Sequence, residues 1–292
     1  MKGIILAGGS GTRLYPLTLV TSKQLLPVYD KPMIFYPLSV LMEAGIRDIL
    51  IISTPNDQKK FMDLLGDGSS FGIKLSYEVQ PSPDGLAQAF IIGEKFIDGE
   101  PCAMILGDNI FYGAGLKKML HEAVSNVKEG YSTIFAYRVN DPQRFGIVEF
   151  DDEMNVMSIE EKPKCPKSNY CVTGLYFYDG RASDFSKKIV PSSRGELEIT
   201  DLNNLYLKDG SLKVKLLDHG FIWMDTGTFD SLMDASNYVQ TVSKHQNLVI
   251  CSPEIVAFSN KWISKEEIMS AIERYGKSPY GESIRNNIGV KK

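Results

Sequence analysis

Apolar runs alternate with amphipathic stretches along the first 130 residues of the chain. Four runs have the length and apolar character of strands in a buried sheet: residues 3–7, 48–53, 73–79 and 102–106. Helical spacing predicts three helices: residues 33–44, 55–65 and 86–96. Pro37 predicts a kink or a late start in the first of them. Because strands and helices alternate, we predict a mostly parallel central sheet with helices on its faces.

The pattern changes after residue 130, where apolar stretches follow one another with only short turns between them. Strands are predicted over residues 132–138, 146–151, 156–161, 170–178, 212–217 and 221–224, and helices over residues 181–189, 199–208 and 229–244. Such closely spaced strands favour a second, partly antiparallel sheet region. Residues 245–292 are predicted to form a helical appendage, which either makes subunit contacts or is simply exposed.

Three loops that follow predicted strands carry glycine and polar residues: residues 8–13, 80–85 and 107–109. Ligands of open α/β sheets bind beyond the carboxyl ends of the strands, so these loops should meet at one edge. In the first loop, Gly8, Gly9 and Gly11 would let backbone N–H groups approach phosphate oxygens with no Cβ in the way. Thr12 adds a hydroxyl and Arg13 a charged fork, so this loop is predicted to hold a polyphosphate.

The glycine loop matches none of the common short motifs for phosphate binding or nucleophilic catalysis. A Walker loop needs Gly-x4-Gly-Lys-Ser/Thr, and the dinucleotide fingerprint beginning at Gly9 needs a small residue where Leu14 stands. The serine-hydrolase elbow fails because residues 8–12 lack its last glycine. The competing interpretation is a tight strand-to-helix turn that binds nothing.

Composition and charge are those of an ordinary globular protein, with 43% hydrophobic and 23% charged residues. No apolar run approaches the ~18 residues of a transmembrane helix, and the first residues do not resemble a signal peptide, so we predict a cytoplasmic protein that binds no membrane. The net charge is −4 without a Lys/Arg-rich block, which argues against nucleic-acid binding. Four cysteines lack a Cys-x2-Cys pair and three histidines are scattered, so a zinc site or a His-based triad is poorly supported.

Longer motifs carry a specific resemblance over roughly residues 2–244. They read GGSGTRL from residue 8, SKQLLP from 22, QPSPDGLAQA from 80, LGDN from 106, EEKP from 160, VTGLY from 172, RGELEITD from 194 and WMDTG from 223. In this order they resemble the glucose-1-phosphate thymidylyltransferase family of sugar-nucleotide pyrophosphorylases. The resemblance implies a Rossmann-like α/β fold of the nucleotidyltransferase type, with one catalytic domain over residues 1–244. Within it, residues 1–130 would serve the nucleotide and residues 131–227, with a small antiparallel sheet, the sugar phosphate.

The resemblance implies a reaction. The family transfers dTMP from dTTP to glucose 1-phosphate with Mg2+, giving dTDP-glucose and pyrophosphate, the first step of dTDP-rhamnose synthesis. Because the attacking phosphate is already an anion, the reaction needs cations rather than a general base. By resemblance, the catalytic residues are Arg13, Lys23, Asp108 and Lys162, and the magnesium ligands are Asp108 and Asp225. Taken singly, each also fits a structural role as a helix cap, a solvated lysine or a turn former.

The same resemblance assigns the residues that surround the two substrates. The nucleotide-binding set is Leu6, Gly8, Gly9, Ser10, Gly11, Thr12, Arg13, Gln80, Pro83, Gly85 and Asp108. The sugar-phosphate-binding set is Asn109, Gly146, Glu161, Lys162, Val172, Thr173, Tyr176, Arg194 and Glu196. The Gln80 amide can pair with a pyrimidine edge, and Gly85 permits close backbone approach to the base. Gln80 could instead cap a strand, and Tyr176 could be a core residue.

Several alternatives stay open. Thymine and uracil show Gln80 the same edge, so a pyrophosphorylase that uses UTP or another sugar 1-phosphate also fits. A non-catalytic regulatory subunit would have no reason to keep all five charged residues of the site. The triplet Asp225-Thr226-Gly227 also occurs in aspartic proteases, but these need two carboxylates sharing a proton and the chain has one copy.

The chain departs from the family pattern at a few positions. Phe145 stands where relatives usually have tyrosine, which removes a hydroxyl but keeps the ring. The family's regulatory nucleotide site uses cations near the C-terminal segment, where this chain has Val249 and Ser259, and His219 replaces a frequent arginine. Feedback inhibition by dTDP-rhamnose is therefore in doubt. The resemblance further implies a homo-oligomer, commonly a tetramer.

Overall fold

The computed structural model describes residues 1–9 and 11–289. Within these residues the strands are β1 (Lys2–Ala7), β2 (Pro27–Val28), β3 (Lys31–Pro32), β4 (Asp48–Ser53), β5 (Lys74–Val79), β6 (Cys102–Leu106), β7 (Asn109–Gly113), β8 (Ser132–Arg138), β9 (Gly146–Phe150), β10 (Val156–Glu161), β11 (Tyr170–Tyr178), β12 (Leu212–Leu217) and β13 (Phe221–Asp225). The helices are α1 (Phe35–Glu43), α2 (Gln58–Leu65), α3 (Gln88–Ile92), α4 (Glu94–Ile97), α5 (Leu116–Lys128), α6 (Ala182–Ser186), α7 (Ile199–Lys208), α8 (Phe229–Gln246), α9 (Pro253–Ser259), α10 (Lys265–Arg274) and α11 (Pro279–Asn287).

Nine strands form one mixed sheet. Seven follow the order β10-β9-β11-β6-β1-β4-β5, β8 also pairs with β11, and β12 pairs with β8. The half built from β6, β1, β4 and β5 is parallel, and β11 joins it by running antiparallel to β6. Strands β7 and β13 form a separate antiparallel ribbon, and β2 and β3 form another. The α/β fold class, with a central sheet, flanking helices and small antiparallel sheets, is confirmed.

The central strands are apolar on both faces because helices cover both. On β1, Ile5 and Ala7 face the cluster that includes α1 and α5, whereas Ile4 and Leu6 face the cluster that includes α3, α6 and α7. This alternation follows the two-residue period of a strand. Complete burial of one such isoleucine contributes roughly 2 kcal/mol, so the rigid centre of the sheet stabilises the loops at its carboxyl edge.

The C-terminal helices pack on the first layer of the sheet. Helix α9 contacts α1, and α10 and α11 contact each other and α9. Val256, Ile268 and Ile284 belong to the same buried cluster as the residues of α1. This segment is helical, as predicted, and shares the main core; the proposed domain boundary at residue 244 and a role in subunit contacts stay predictions.

Several element boundaries differ from the predicted ones. The helix predicted over 55–65 begins at Gln58, and that predicted over 86–96 divides at Gly93 into α3 and α4. The helix predicted over 181–189 covers only Ala182–Ser186, and Pro37 lies in the first turn of α1.

The predicted strands of residues 132–178 join the central sheet, because β11 pairs with both β6 and β8. None of the helices within the described residues has the length and apolar character needed to span a membrane.

Candidate active site

One cleft of about 460 Å³ opens at the carboxyl edge of β1 and β6, beside the β7–β13 ribbon. Most of the predicted site residues line it: Leu6, Gly8, Gly9, Arg13, Lys23, Gln80, Pro83, Gly85, Asp108, Asn109, Gly146, Glu161, Lys162, Val172, Thr173, Tyr176, Arg194, Glu196 and Asp225. The loops after three strands therefore meet, as predicted. Gly11 and Thr12 do not line the cleft, and Ser10 lies outside the described residues.

The glycine loop turns sharply where β1 ends. A Cβ on Gly8 would lie 2.4 Å from Gln80 Oε1, so glycine lets the loop of residues 80–85 approach the end of β1. Gly11 adopts the left-handed conformation at φ 60° before a short 3-10 turn, and its carbonyl accepts a hydrogen bond from Thr18 Oγ1 at 2.7 Å. Gly11 and Thr12 thus shape the turn, and Arg13 within it reaches the cleft.

Lys23 and Asp108, which both line the cleft, form an ion pair. Their side chains are only 15% and 12% exposed, and Asp108 Oδ1 also accepts from Asn109 Nδ2 at 3.1 Å. Burial alone would raise the pKa of the Asp108 carboxyl, but the charge and hydrogen bond of Lys23, aided by Asn109, hold that pKa below its ordinary value. Asp108 is therefore an anion at neutral pH.

Asp225 lies opposite Asn109 in the β7–β13 ribbon, which brings it beside Asp108. Burial and the negative charge of Asp108 raise the pKa of Asp225, and the nearby cations oppose that rise only in part. A Cβ on Gly227 would lie 2.9 Å from Arg13 Nη2 and 3.0 Å from Asp225 Oδ1. Arg13 and Asp225 thus converge on the same end of the cleft.

The two carboxylates suit a hard divalent cation. Burial, and after it the negative charge of Asp108, raises the pKa of Asp225, and a bound cation would favour the ionised form of both carboxylates. Both are oxygen donors, which Mg2+ prefers. Within residues 1–9 and 11–289 no group of three or more His, Cys, Asp or Glu side chains could hold a metal. Asp108 and Asp225 therefore fit an ion that keeps water or phosphate oxygens as its other ligands.

Hydrogen bonds join the chain segment that carries Asp108 to the segment that carries Asp225. The Asp108 carbonyl accepts from the Thr226 N–H at 3.1 Å and from Thr226 Oγ1 at 2.7 Å. Asn109 Oδ1 accepts from Trp223 Nε1 at 2.6 Å and from the Gly174 N–H at 3.1 Å. Asn109 lines the cleft, but its amide is engaged in these contacts and in the one to Asp108, so it holds the site together.

The segment before Lys23 is held by Asp57, the N-cap residue of α2. Asp57 Oδ1 accepts from the Ser22 N–H at 3.1 Å and from Lys60 Nζ at 2.9 Å. Lys60 Nζ also donates to the Val20 carbonyl at 2.6 Å. Asp57 is buried, so this hydrogen-bonded carboxylate restricts the backbone that carries Lys23.

Glu161, the last residue of β10, lines the part of the cleft that is predicted to bind the sugar phosphate, the sugar side. Its Oε2 accepts from Thr200 Oγ1 at 2.6 Å and its Oε1 accepts from Arg194 Nη2 at 3.2 Å. A Cβ on Gly146 would come within 2.9 Å of Thr200 Oγ1, so glycine leaves room for this contact. Arg194 also pairs with Glu198 at 2.8 Å.

Lys162 has an unusual backbone for a residue with a side chain. Its φ is 44°, in the left-handed region, and its N–H donates to the Phe145 carbonyl at 3.0 Å. Its side chain is 45% exposed and lines the cleft. Such conformations cost of order 1 kcal/mol and cluster at functional sites, which is consistent with the predicted role of Lys162.

The β11 residues form the wall of the cleft. Thr173 is fully buried and donates from Oγ1 to the Phe135 carbonyl at 3.0 Å. Tyr176 is 3% exposed, stacks on Tyr178 with ring centroids 6.0 Å apart, and has its pKa raised by burial. Both residues line the cleft and belong to the core at the same time.

Some lining residues were not predicted: Gln24, Arg144, Phe145, Glu198, Thr200 and Trp223. Gln24, Glu198, Thr200 and Trp223 lie within the quoted motifs, so motif membership could have indicated them. Phe145 was noted only as a departure from the family, and it packs edge-on against Trp223 with ring centroids 5.4 Å apart. Arg144 precedes β9. Its positive charge opposes in part the rise in the pKa of Asp225, a relation that only the folded chain creates.

Comparison with known proteins places the chain in a family. The family model described as "Nucleotidyl transferase" matches residues 2–242. A Neisseria gonorrhoeae protein named glucose-1-phosphate thymidylyltransferase is 59% identical over 289 residues, covering 99% of this chain and 100% of the relative. The chain belongs to the glucose-1-phosphate thymidylyltransferase family. A Xanthomonas campestris thymidylyltransferase of the same name is 56% identical over 97% of this chain and 95% of its own length.

Solved structures of sugar-nucleotide enzymes have the same architecture as this thymidylyltransferase-family chain. A Bacillus anthracis structure assigned as a glucose-1-phosphate thymidylyltransferase, in complex with sucrose, has a TM-score of 0.75 and 43% identity over 82% of this chain and 94% of that one. A UDP-glucose pyrophosphorylase complexed with UDP-glucose has a TM-score of 0.72 and 25% identity over 82% of this chain and 98% of that one. The predicted family and enzyme class, a nucleotidyltransferase, are confirmed, and the higher identity to thymidylyltransferases does not favour the uridylyl alternative.

Proposed function

We infer that the chain transfers dTMP from dTTP to α-D-glucose 1-phosphate, giving dTDP-glucose and pyrophosphate. The observation that carries this proposal is the near full-length identity of 59% to a glucose-1-phosphate thymidylyltransferase, on a chain whose predicted charged residues share one cleft. The proposed step is an in-line attack of the sugar phosphate oxygen on the α-phosphorus. The bond that breaks joins that phosphorus to the pyrophosphate leaving group.

Electrostatic repulsion sets the barrier of this reaction. Both reactants are anions, and one pair of unit charges ~4 Å apart is worth about 4 kcal/mol at an effective dielectric constant near 20, roughly a thousandfold in rate. Because the nucleophile is already deprotonated, cations held at fixed positions are the main means of catalysis. The cleft supplies Arg13, Lys23 and Lys162 for this purpose.

Each cation suits a different part of the reactants. Arg13 has a planar fork that matches the β- and γ-phosphates of the departing pyrophosphate. Lys23, which lines the cleft and pairs with Asp108, would contact the α-phosphate. Lys162, on the sugar side, would hold the attacking phosphate, and Glu161 would accept hydrogen bonds from sugar hydroxyls. As the substrates enter, Lys23 exchanges one anionic partner for another without losing charge compensation.

We propose that Asp108 and Asp225 hold the Mg2+ of the reaction. Bound there, the ion would neutralise charge on the triphosphate as the α-phosphorus is attacked. The position of Asp225 beside Asp108 in the ribbon supports this assignment, and the raised pKa of Asp225, caused first by burial and then by the charge of Asp108, agrees with it. The remaining contacts of Asp108, to Asn109 and Thr226, hold its carboxylate and backbone in place for the ion.

A coupled pyrophosphate-release assay tests the proposed substrates. The full chain is assayed with dTTP and with UTP, each crossed with glucose, galactose and glucosamine 1-phosphates. We expect the highest kcat/KM for dTTP with glucose 1-phosphate. Exclusive use of UTP, or of a different sugar phosphate, would overturn the assignment. A folded protein with no turnover on any pair would support the non-catalytic alternative.

Three further properties of this chain are proposals on the same basis. They are a place at the first step of dTDP-rhamnose synthesis, a cytoplasmic location and a homotetrameric assembly. Light scattering of the purified chain tests the assembly, since a tetramer of the 32.6 kDa chain and a monomer differ fourfold in mass. The loss of the regulatory cations at Val249, Ser259 and His219 is tested by adding dTDP-rhamnose to the assay, which we expect to inhibit weakly.

A further inference from the structure

A chain of hydrogen bonds runs through the loop that follows β5. Gln80 is buried, and its Nε2 donates to Gln88 Oε1 at 2.7 Å and to the Gly85 carbonyl at 3.3 Å. Gln88 Nε2 donates in turn to Asp84 Oδ2 at 2.9 Å. The loop therefore connects the amide that lines the cleft to a carboxylate through a second amide.

The two ends of this chain fix which way every amide points. A carboxylate such as that of Asp84 and a carbonyl such as that of Gly85 only accept hydrogen bonds. The nitrogen of Gln88 must face Asp84, so its oxygen faces Gln80. Gln80 must then offer its nitrogen to both Gln88 and Gly85, which leaves its oxygen toward Gly8, 2.4 Å from where a Cβ on that residue would stand.

We propose that Gln88 is a positioning residue that determines base selectivity, by holding the Gln80 amide with its oxygen toward the base. The proposal rests on the assignment of Gln80 to the base, as given in the predicted nucleotide site. An oxygen in this position accepts the N3–H of thymine or uracil. Cytosine carries a lone pair on N3, so the same orientation sets two acceptors against each other and leaves both unpaired.

The hydrogen bonds from Gln80 to Gln88 and from Gln88 to Asp84 form a relay, and the backbone around this relay is anchored independently of the Gln88 side chain. The Leu197 N–H donates to the Asp84 carbonyl at 2.7 Å, and the Ala87 N–H donates to the Leu197 carbonyl at 3.1 Å. Gly85 lies so close to this segment that a Cβ on it would come within 2.3 Å of the Leu197 carbonyl oxygen. Removing the Gln88 amide should therefore leave the loop in its shape, with only the longer contact to the Gly85 carbonyl to orient the Gln80 side chain.

The test compares kcat/KM for dTTP, UTP and dCTP, each with glucose 1-phosphate. In Gln88→Leu we expect the dTTP to dCTP ratio to fall about tenfold, the effect of losing one orienting hydrogen bond. The dTTP to UTP ratio should not change, because both bases show Gln80 the same edge. Gln88→Glu combined with Asp84→Asn exchanges the amide and the carboxylate, so it keeps an acceptor facing Gln80 and a donor between positions 84 and 88, and it should retain the parental dTTP to dCTP ratio. Ser82→Ala, which removes only a second donor to Asp84, is the matched control.

The outcomes separate the relay from the role of Gln80 itself. An unchanged dTTP to dCTP ratio in folded Gln88→Leu overturns the proposal, and Gln88→Met replaces that variant if it does not fold. Equal losses of the ratio in the Asp84→Asn/Gln88→Glu double variant and in Gln88→Leu would also overturn it, because the acceptor that faces Gln80 would then be irrelevant. If Gln80→Leu loses the ratio and Gln88→Leu does not, Gln80 still contacts the base and only the relay is wrong.

Discussion

The two sides of the cleft carry their charges differently. On the nucleotide side, Lys23 and Asp108 form a pair whose side chains are 15% and 12% exposed. On the sugar side, Lys162 and Arg194 are 45% and 36% exposed, and Arg194 is shared among carboxylates. Buried pairs are strongly perturbed when one partner is removed, whereas exposed cations are screened by water. We therefore expect the proposed nucleotide side to be organised before substrate arrives, and the proposed sugar side to gain its full electrostatic strength when substrate excludes water.

The origin of this difference lies in the sheet. Asp108 lies two residues after the buried strand β6, and the backbone next to Lys23 is held by the hydrogen bond from the Ser22 N–H to Asp57. Lys162 and Arg194 lie on connections outside the parallel half of the sheet, between β10 and β11 and between α6 and α7. Strand ends restrict a side chain more than surface connections do. Substitutions on the nucleotide side should thus affect kcat, and those on the sugar side mainly KM for the sugar phosphate.

The largest effect is expected from the metal-site carboxylates. Asp108→Asn and Asp225→Asn should each lower Mg-dependent kcat by about a thousandfold, because either change removes an anionic ligand without changing the shape of the side chain. Pyrophosphate release at saturating substrates measures it. Asp152→Asn, on an exposed turn, is the control and should retain parental kcat. A kcat near parental in either folded site variant would remove that aspartate from the metal role.

A smaller effect, confined to one substrate, is expected at Lys162. Lys162→Ala should raise KM for glucose 1-phosphate about ten- to a hundredfold, the range for a charge-assisted contact to phosphate, with less change in KM for dTTP. Lys164→Ala, two residues along the same exposed segment, is the matched control. Equal changes in both KM values would mean that the two sides of the cleft are not separable in this way.

The smallest effect concerns stability without metal. The lowered pKa of Asp108 means that its ionised form stabilises the fold above the ordinary Asp pKa of about 3.9, and this is lost as pH falls through the lowered value. Asp225 has a raised pKa, so its ionised form destabilises the fold above that value. At pH 7 in chelator, Asp108→Asn should lower Tm and Asp225→Asn should raise it. In thermal unfolding curves the Asp225→Asn difference should shrink as pH falls toward 4, whereas the Asp108→Asn difference should persist at pH 4 and shrink only below it. Shifts of the same sign at pH 7 would contradict this pairing.

Local patterns account for most of the elements and for the composition of the site. Continuous apolar runs specify β1, β4 and β6 because these strands are buried on both faces, and the motifs indicated nearly every residue that lines the cleft. Patterns were weaker for β7, a strand absent from the predicted elements, because it pairs in a ribbon with β13, far along the chain, with Asn109 opposite Asp225 and Gly113 opposite Phe221. Pairing over that distance leaves no periodic signal near residue 109.

The sequence by itself determined the α/β class, the family and the identity of the charged residues, because these depend on local periodicity and on motifs read in order. Tertiary structure decided how those residues are used. It brought Asp225 beside Asp108, engaged the Asn109 amide in structural contacts, placed Arg144 near Asp225 and aligned Gln80 through Gln88. Distances between residues far apart in the chain set these relations, together with burial and the direction of hydrogen bonds. Only the folded chain has these properties.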